Sequence, residues 1–421
     1  MLVFKFGGAS VKDADAIRNV ASILSLYPGK KLTVVVSAMG KSTNKLEEIV
    51  DALESKNYKL FVGLVDELES FHMDIMAALF PERHFKIYQT IEELFETLRT
   101  RFEAVFSDNK SFEYDQIVSL GEVLSSQIVS AFLIEQDFSL QWMDARKLIR
   151  TDHTYQEGKV DWKKTEQLVQ ERFLQVFQDS DILLTQGFMG HTSEGFTTTL
   201  GREGSDYTAG ILAFCGKAES VTIWKDVPGM LNADPKYFSN TKKLEAISFK
   251  EAIELSYYGA SVIHPKTIQP LQNRNIPLFV KSFVDPKAAG TVIQSSSSKD
   301  HLIPSYIFKF DQVLFSFTPK DFSFIVEENL SVIFGKLSAM NVKINLMQNS
   351  ALSFSILTDQ KKLKKDELLS LFQEDYEVKY NENLSLVTIR HYDEQTIEQV
   401  TVGKEIILQQ RTRHTARFVL K

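Results

Sequence analysis

The sequence predicts an α/β protein: an open, mostly parallel sheet flanked by helices, followed by ferredoxin-like βαββα modules, the second one shortened. Three observations predict it. Short apolar runs alternate with helix-period stretches from residue 2 to residue 283. The loops after those runs hold the glycines, hydroxyls and charges, and open parallel sheets bind ligands beyond the carboxyl ends of their strands. A polar linker, QSSSSKDHL at 294–302, then precedes a different element order. The expected domains are 1–293 and 303–421.

LVFKF (2–6) reads as the first strand and ends at Gly7-Gly8. A helix is expected to begin near Ser10, because apolar residues recur at 11, 14, 17, 20, 21 and 24. KKLTVVVSAMG (30–40) repeats the strand-then-loop pattern, with Thr43 as the expected cap of the next helix. Residues 44–107 read as long amphipathic helices, and 114–136 as another, rich in small residues. Further apolar runs lie at 139–145, 181–188, 220–227 and 276–283, with helices between them, including EAIELSYYG (251–259). Beyond the linker, QVLFSFTP, VKINLMQNS and ALSFSILTD read as strands. FIVEENLSVIFGKLSAMN and KLKKDELLSLFQ read as helices, which gives the βαββα order. NLSLVTIRHY, the brief helix DEQTIEQV and two strand-like runs form the shortened partner.

Composition narrows the function. The 421 residues are 43% hydrophobic and 24% charged, an ordinary globular balance with enough apolar material for a large core. The net charge of −7 carries no basic surplus, so no nucleic-acid partner is expected. The single cysteine, Cys215, rules out an intrachain disulfide and reads as a buried small hydrophobe. No run of 18 apolar residues occurs and the N-terminus has no signal-peptide flanks, so no membrane span and a cytoplasmic location are expected.

Four loops could carry chemistry. KFGGAS (5–10) puts a lysine at a strand end, then two glycines, then a helix; this suits phosphate, but equally a plain tight turn. VVVSAMGKSTNKL (34–46) is a second such loop. TTLGREGSD (198–206) is a third and fits either a solvated hairpin or an anion-binding floor. KDVPGMLNADP (225–235) is a fourth, with Asp226 and Asp234 beside two turn signals. The eight histidines show no metal-ligand spacing, and His264 reads as structural.

These words resemble the aspartate kinases of the amino-acid-kinase superfamily. The match runs in family order through KFGGAS, VVVSAMGKSTNKL, GEVLSS, MDARKLIRTD, GFMG, TTLGREGSD, KDVPGMLNADP, GASVIHP and KSFVDPKAAGT, and covers roughly residues 1–293. The resemblance implies transfer of the ATP γ-phosphoryl group to the side-chain carboxylate of L-aspartate, a step toward lysine, threonine, methionine and diaminopimelate. It implies that Lys5 stabilises the transferring group and that Asp206 organises Lys5. Gly7, Gly8 and Ser10 would face phosphate. Ser37, Thr43, Glu122, Phe188, Thr199 and Arg202 would bind aspartate, with Glu122 on its ammonium group and Arg202 on its α-carboxylate. Lys225, Asp226, Gly229, Asp234 and Lys236 would meet the nucleotide. Mg²⁺ is expected on the ATP phosphates, without a protein metal cage.

Three departures stand out against the family pattern. Glu203 replaces a glycine, which implies a backbone there that need not be glycine-only. Pro228 and Ser261 replace an aspartate and a lysine near the nucleotide. The C-terminal region resembles ACT-type modules, implying a homodimer or higher homo-oligomer and possible feedback by lysine or threonine. Alternatives are a kinase for another amino acid such as glutamate, or a non-catalytic amino-acid sensor.

Overall fold

In the computed structural model every residue is described except Arg83, His84, Val105, Ser261 and Val262, and the side chains of Phe85 and Lys362. The departure at Ser261 therefore lies outside the described residues. The chain forms two compact units. The first comprises Met1–Met230, Lys243–Ile253 and Val262–Lys299; the second comprises Leu231–Lys242, Glu254–Ser261 and Asp300–Lys421.

The first half of the chain runs β1 (Leu2–Phe6), α1 (Ala14–Leu24), β2 (Leu32–Val36), α2 (Ser42–Glu54), α3 (Tyr58–Leu79), α4 (Phe85–Thr100), α5 (Lys110–Val118), α6 (Leu120–Glu135) and β3 (Leu140–Trp142). It continues with α7 (Trp162–Asp179), β4 (Ile182–Gln186), the hairpin β5 (Met189–His191) and β6 (Thr197–Thr199), α8 (Gly204–Cys215) and β7 (Ser220–Lys225). Then come β8 (Ala246–Ser248), α9 (Phe249–Tyr258), α10 (Pro265–Asn273), β9 (Leu278–Ser282) and β10 (Thr291–Gln294).

Eight strands pair in the order β3-β4-β2-β1-β7-β9-β10-β8. The six from β3 to β9 are mutually parallel; β10 runs antiparallel to β9, and β8 parallel to β10. β2 and β4 are buried at every position, which is why they read as unbroken apolar runs. Phe6 stacks on Trp224 across β1 and β7, with ring centroids 6.1 Å apart. Cys215 is fully buried, and burial pushes its thiol up to about 12.

Two helix starts differ from expectation. The chain after Gly7 makes only a 3₁₀ turn, Gly8–Val11, and α1 begins at Ala14. Asp13 is its cap, accepting from the Ala16 N–H, so the apolar period that starts at residue 11 overran the true start. α2 begins at Ser42 with Lys41 in the cap position, so Thr43 is inside the helix and caps nothing. One helical stretch, Lys110–Glu135, is long and apolar enough to cross a membrane, but 78% of its apolar window is buried inside the protein.

The second unit is built on β11 (Ser305–Pro319), α11 (Glu327–Ala339), β12 (Ile344–Asn349), β13 (Phe354–Asp359), α12 (Lys365–Phe372), β14 (Tyr376–Arg390), α13 (Glu394–Thr401), β15 (Ile406–Arg411) and β16 (Thr415–Leu420). The antiparallel sheet has the order β12-β13-β11-β14-β16-β15. β11 and β14 are 15 residues long and pair along nearly their whole length, with a bulge around Gln312. Their far halves frame the βαββα module, and their near halves join α13, β15 and β16. The two modules thus share one continuous sheet. Segment 231–242 also packs here: Phe238 stacks on Tyr306 at 4.5 Å.

Candidate active site

β4, β2, β1 and β7 are neighbours in the sheet and parallel, so their carboxyl ends emerge side by side. Lys5 and Lys225 come from the ends of β1 and β7, Ser37 to Gly40 follow β2, and Gly187 and Phe188 follow β4. The adjacency brings separate sequence words into one cleft of about 310 Å³. Lys5, Gly8, Ser37, Thr43, Glu122, Phe188, Asp206 and Lys225 line it, together with Ala38, Gly40, Glu203, Gly204 and Ser205. Close approach requires glycine at 8, where a Cβ would lie 2.8 Å from the Ala38 carbonyl oxygen.

The charges in the cleft are organised around Asp206, which is 3% exposed. Lys5 Nζ lies 2.6 Å from its Oδ1, and Lys225 Nζ lies 3.6 Å from its Oδ2. Burial works against the charged form, yet Lys5 and Lys225 together hold the carboxyl below its ordinary value. Glu122, on the first turn of α6, is 4% exposed. Burial pushes its carboxyl up to about 8, against the opposing pull of the Ala38 and Gly187 backbone, Lys5 and Ser205. Two carboxylates in one cleft therefore have opposite tendencies: Asp206 is held toward its charged form, and Glu122 is pushed toward its protonated form.

The cleft also stores backbone strain. Phe188 and Glu203 both adopt left-handed conformations, with φ of 69° and 54°. Position 203 is thus one that favours glycine, although a glutamate adopts it. The glutamate is accepted because a single αL residue costs only about 1–2 kcal/mol.

The remaining expected site residues are not among those that line the cleft. Gly7 sits under the Lys5 amine, and Ser10 is buried in the 3₁₀ turn. Thr199 is buried outside the cleft lining, and Arg202 is on the exposed turn before α8. Asp226 is exposed and Gly229 is buried, in the loop after β7. Asp234 and Lys236 belong to the second unit, where Asp234 accepts from the Lys236 N–H.

Sequence reasoning missed Asp115. It is fully buried on α5 and accepts from the Thr199 N–H at 2.8 Å and the Thr199 hydroxyl at 2.7 Å. It also accepts from the Gln156 N–H. Gln116 beside it bonds both the N–H and the C=O of Thr197. α5 thereby completes the open edge of β6 with side chains, just before the turn that carries Arg202. No local signal marks it: α5 is a short helix of mixed polarity that also carries Lys110, Glu113 and Gln116.

A parallel sheet whose adjacent strand ends hold two lysines, paired carboxylates and a buried helix start defines the class: an enzyme that brings two anions together for phosphoryl transfer. Residues 1–282 match the family described as the amino acid kinase family. The chain is 34% identical over 361 residues to lysine-sensitive aspartokinase 3 of Escherichia coli (strain K12), covering 85% of this chain and 78% of that one. It is 33% identical over 297 residues to a bifunctional aspartokinase/homoserine dehydrogenase of Zea mays, covering 69% of this chain but only 32% of that longer protein. E. coli aspartokinase III solved with lysine and aspartate (T-state) superposes with a TM-score of 0.83 at 29% identity, over 100% of this chain and 95% of that one. Its complex with aspartate and ADP (R-state) gives 0.81 at 28%, over 100% and 96%. The chain belongs to the amino acid kinase family, and within it to the aspartokinases.

Proposed function

We propose that the cleft transfers the γ-phosphoryl group of ATP to the side-chain carboxylate of L-aspartate, with Lys5, Asp206 and Glu122 in the leading roles. The observation that carries this is the buried Lys5–Asp206 pair at 2.6 Å, in a cleft shared with Glu122. A carboxylate oxygen attacks the γ-phosphorus, the bond to the β,γ-bridging oxygen breaks, and ADP leaves. The acceptor carboxylate is already ionised at neutral pH, so no general base is needed. The barrier is repulsion between anions. Lys5, fixed by Asp206, and Lys225 offset charge on the transferring group, aided by backbone N–H groups at the start of α8. Glu122 ionises against the substrate ammonium group, and Arg202 binds the α-carboxylate from its turn.

Among the described residues, no group of three or more His, Cys, Asp or Glu is arranged to hold a metal ion. In this reading Mg²⁺ is carried largely on the nucleotide phosphates, where it would offset further negative charge.

In this reading residues 1–293 carry catalysis and 303–421 carry regulation and pairing, in a cytoplasmic enzyme. A homodimer through the second unit is supported by the edge strand β12, with Met347 53% exposed, and by Phe322 at 77%. Lysine is the favoured feedback effector, because the E. coli relative is named lysine-sensitive and was solved with lysine. ATP consumption measured with aspartate, with glutamate and with no acceptor, each with and without lysine or threonine, tests both parts. Turnover with aspartate alone, suppressed by lysine, is expected; equal rates with glutamate would overturn the acceptor assignment.

A further inference from the structure

Glu203 stands immediately before α8 and lines the cleft. Its backbone is left-handed, which a glycine would adopt without strain. Its side chain makes no capping bond to the helix it precedes, so the strain is not offset locally. Its Oε2 is buried and has no hydrogen-bond partner among the described residues. A buried acceptor left in that state costs about 1–3 kcal/mol, more if charged.

The other two carboxylates of the cleft are engaged. Asp206 is held by Lys5 and Lys225, and Glu122 by Ala38, Gly187 and Ser205. No side chain among the described residues donates to Oε2, and a ligand entering the cleft would supply that donor. Two ligand chemistries are open: a divalent cation or an ammonium group. A cation site would need several oxygen ligands, and the acidic groups here are not so arranged among the described residues. An ammonium group needs only one or two carboxylate oxygens and suits a cleft of about 310 Å³.

We propose that Glu203 is a specificity-determining residue for the acceptor, receiving the α-ammonium group of the amino acid together with Glu122. The proposal rests on the reading of this cleft as the acceptor site. It makes the enzyme select zwitterionic dicarboxylates over those without an amine, because an unpaired Glu203 repels the latter.

Glu203→Gly and Glu203→Gln test it, with succinate as the competitor that has both carboxylates and no ammonium group. The glycine variant suits the αL backbone, so its Tm is expected to equal or exceed that of the unaltered enzyme. KM for L-aspartate should rise about tenfold in both variants, the loss of one charge-assisted hydrogen bond. KM for ATP should stay within about twofold, and succinate should inhibit as well as before or better. An unchanged aspartate KM overturns the proposal. Parallel weakening of aspartate and succinate overturns it too, since that marks a purely structural turn. A raised Mg²⁺ requirement with aspartate KM unchanged would overturn it in favour of a cation ligand. The unaltered enzyme is assayed alongside; its failure to use aspartate would instead remove the acceptor reading beneath the proposal.

Discussion

The first unit buries Lys5, Glu122 and Asp206 around one cleft and holds two side-chain-bearing residues there in left-handed conformations. The second unit pairs its long strands regularly and leaves Phe322, Phe324 and Met347 in the open. Each unit departs from what stability alone would select, in opposite directions. Desolvated charge weakens the first unit but raises the force those charges exert on an anion. Exposed apolar surface leaves the second unit's fold intact but makes it adhesive. On the reading proposed above, the difference separates two jobs: chemistry where charge is buried, and association where apolar surface is exposed.

The largest expected effect tests the buried charge directly. Lys5→Ala should lower kcat by about a thousandfold or more, because the charge acts on the transferring group itself. Single-turnover rates would show it, and near-normal turnover would remove Lys5 from its role.

The pH dependence of aspartate binding comes next. Burial pushes the Glu122 carboxyl up to about 8, so pairing it with an ammonium group would release a proton below that pH. KM for aspartate should fall between pH 6 and 8, by up to about tenfold per unit, and Glu122→Gln should flatten the slope. The same group acts on stability with a definite sign. Its folded-state pKa exceeds the ordinary 4.5, so its contribution is complete below that value and is lost as pH rises through 8. Substrate-free Tm should therefore fall over this window more steeply for the unaltered enzyme than for Glu122→Gln.

A smaller effect is expected at the clamp. Asp115→Ala strands the Thr199 and Gln156 N–H groups, at a cost of about 2–4 kcal/mol. The loosened turn should lower kcat/KM for aspartate about tenfold. Denaturant titration measures the first and steady-state kinetics the second; unchanged values for both would deny the clamp. The smallest catalytic effect belongs to the other unit. Met347→Lys on the β12 edge should shift sedimentation from dimer to monomer while kcat changes less than about twofold.

Much of this was legible in the sequence, for reasons that also explain the gaps. Strands buried on both faces write themselves as apolar runs, so β1, β2, β4 and β7 and the loops after them were found. β5, β6, β8 and β10 are three or four residues long, too short to establish a period. Lys5, Glu122 and Asp206, which line the cleft, were singled out because they sit in words that resemble the family. Asp115 was not, because its work is to hold a strand edge that no local pattern announces. The left-handed backbone at Glu203 was not legible, because a side chain's presence does not reveal φ. Asp234 and Lys236 were grouped with Lys225 because one family-like word, KDVPGMLNADP, runs through or up to them, and the chain enters the second unit within that word.

That last feature bears on how the protein can be cut and recombined. Segments 231–242 and 254–261 come from within the family match but fold with the C-terminal sheet, where Ala233 and Phe238 pack around Tyr306. The two units are not cassettes in series. A chimera spliced at the linker would exchange the C-terminal sheet and leave those inserted segments facing a stranger's surface. Transplanting the second unit therefore means moving three pieces of chain together, with two of them taken from inside the family match.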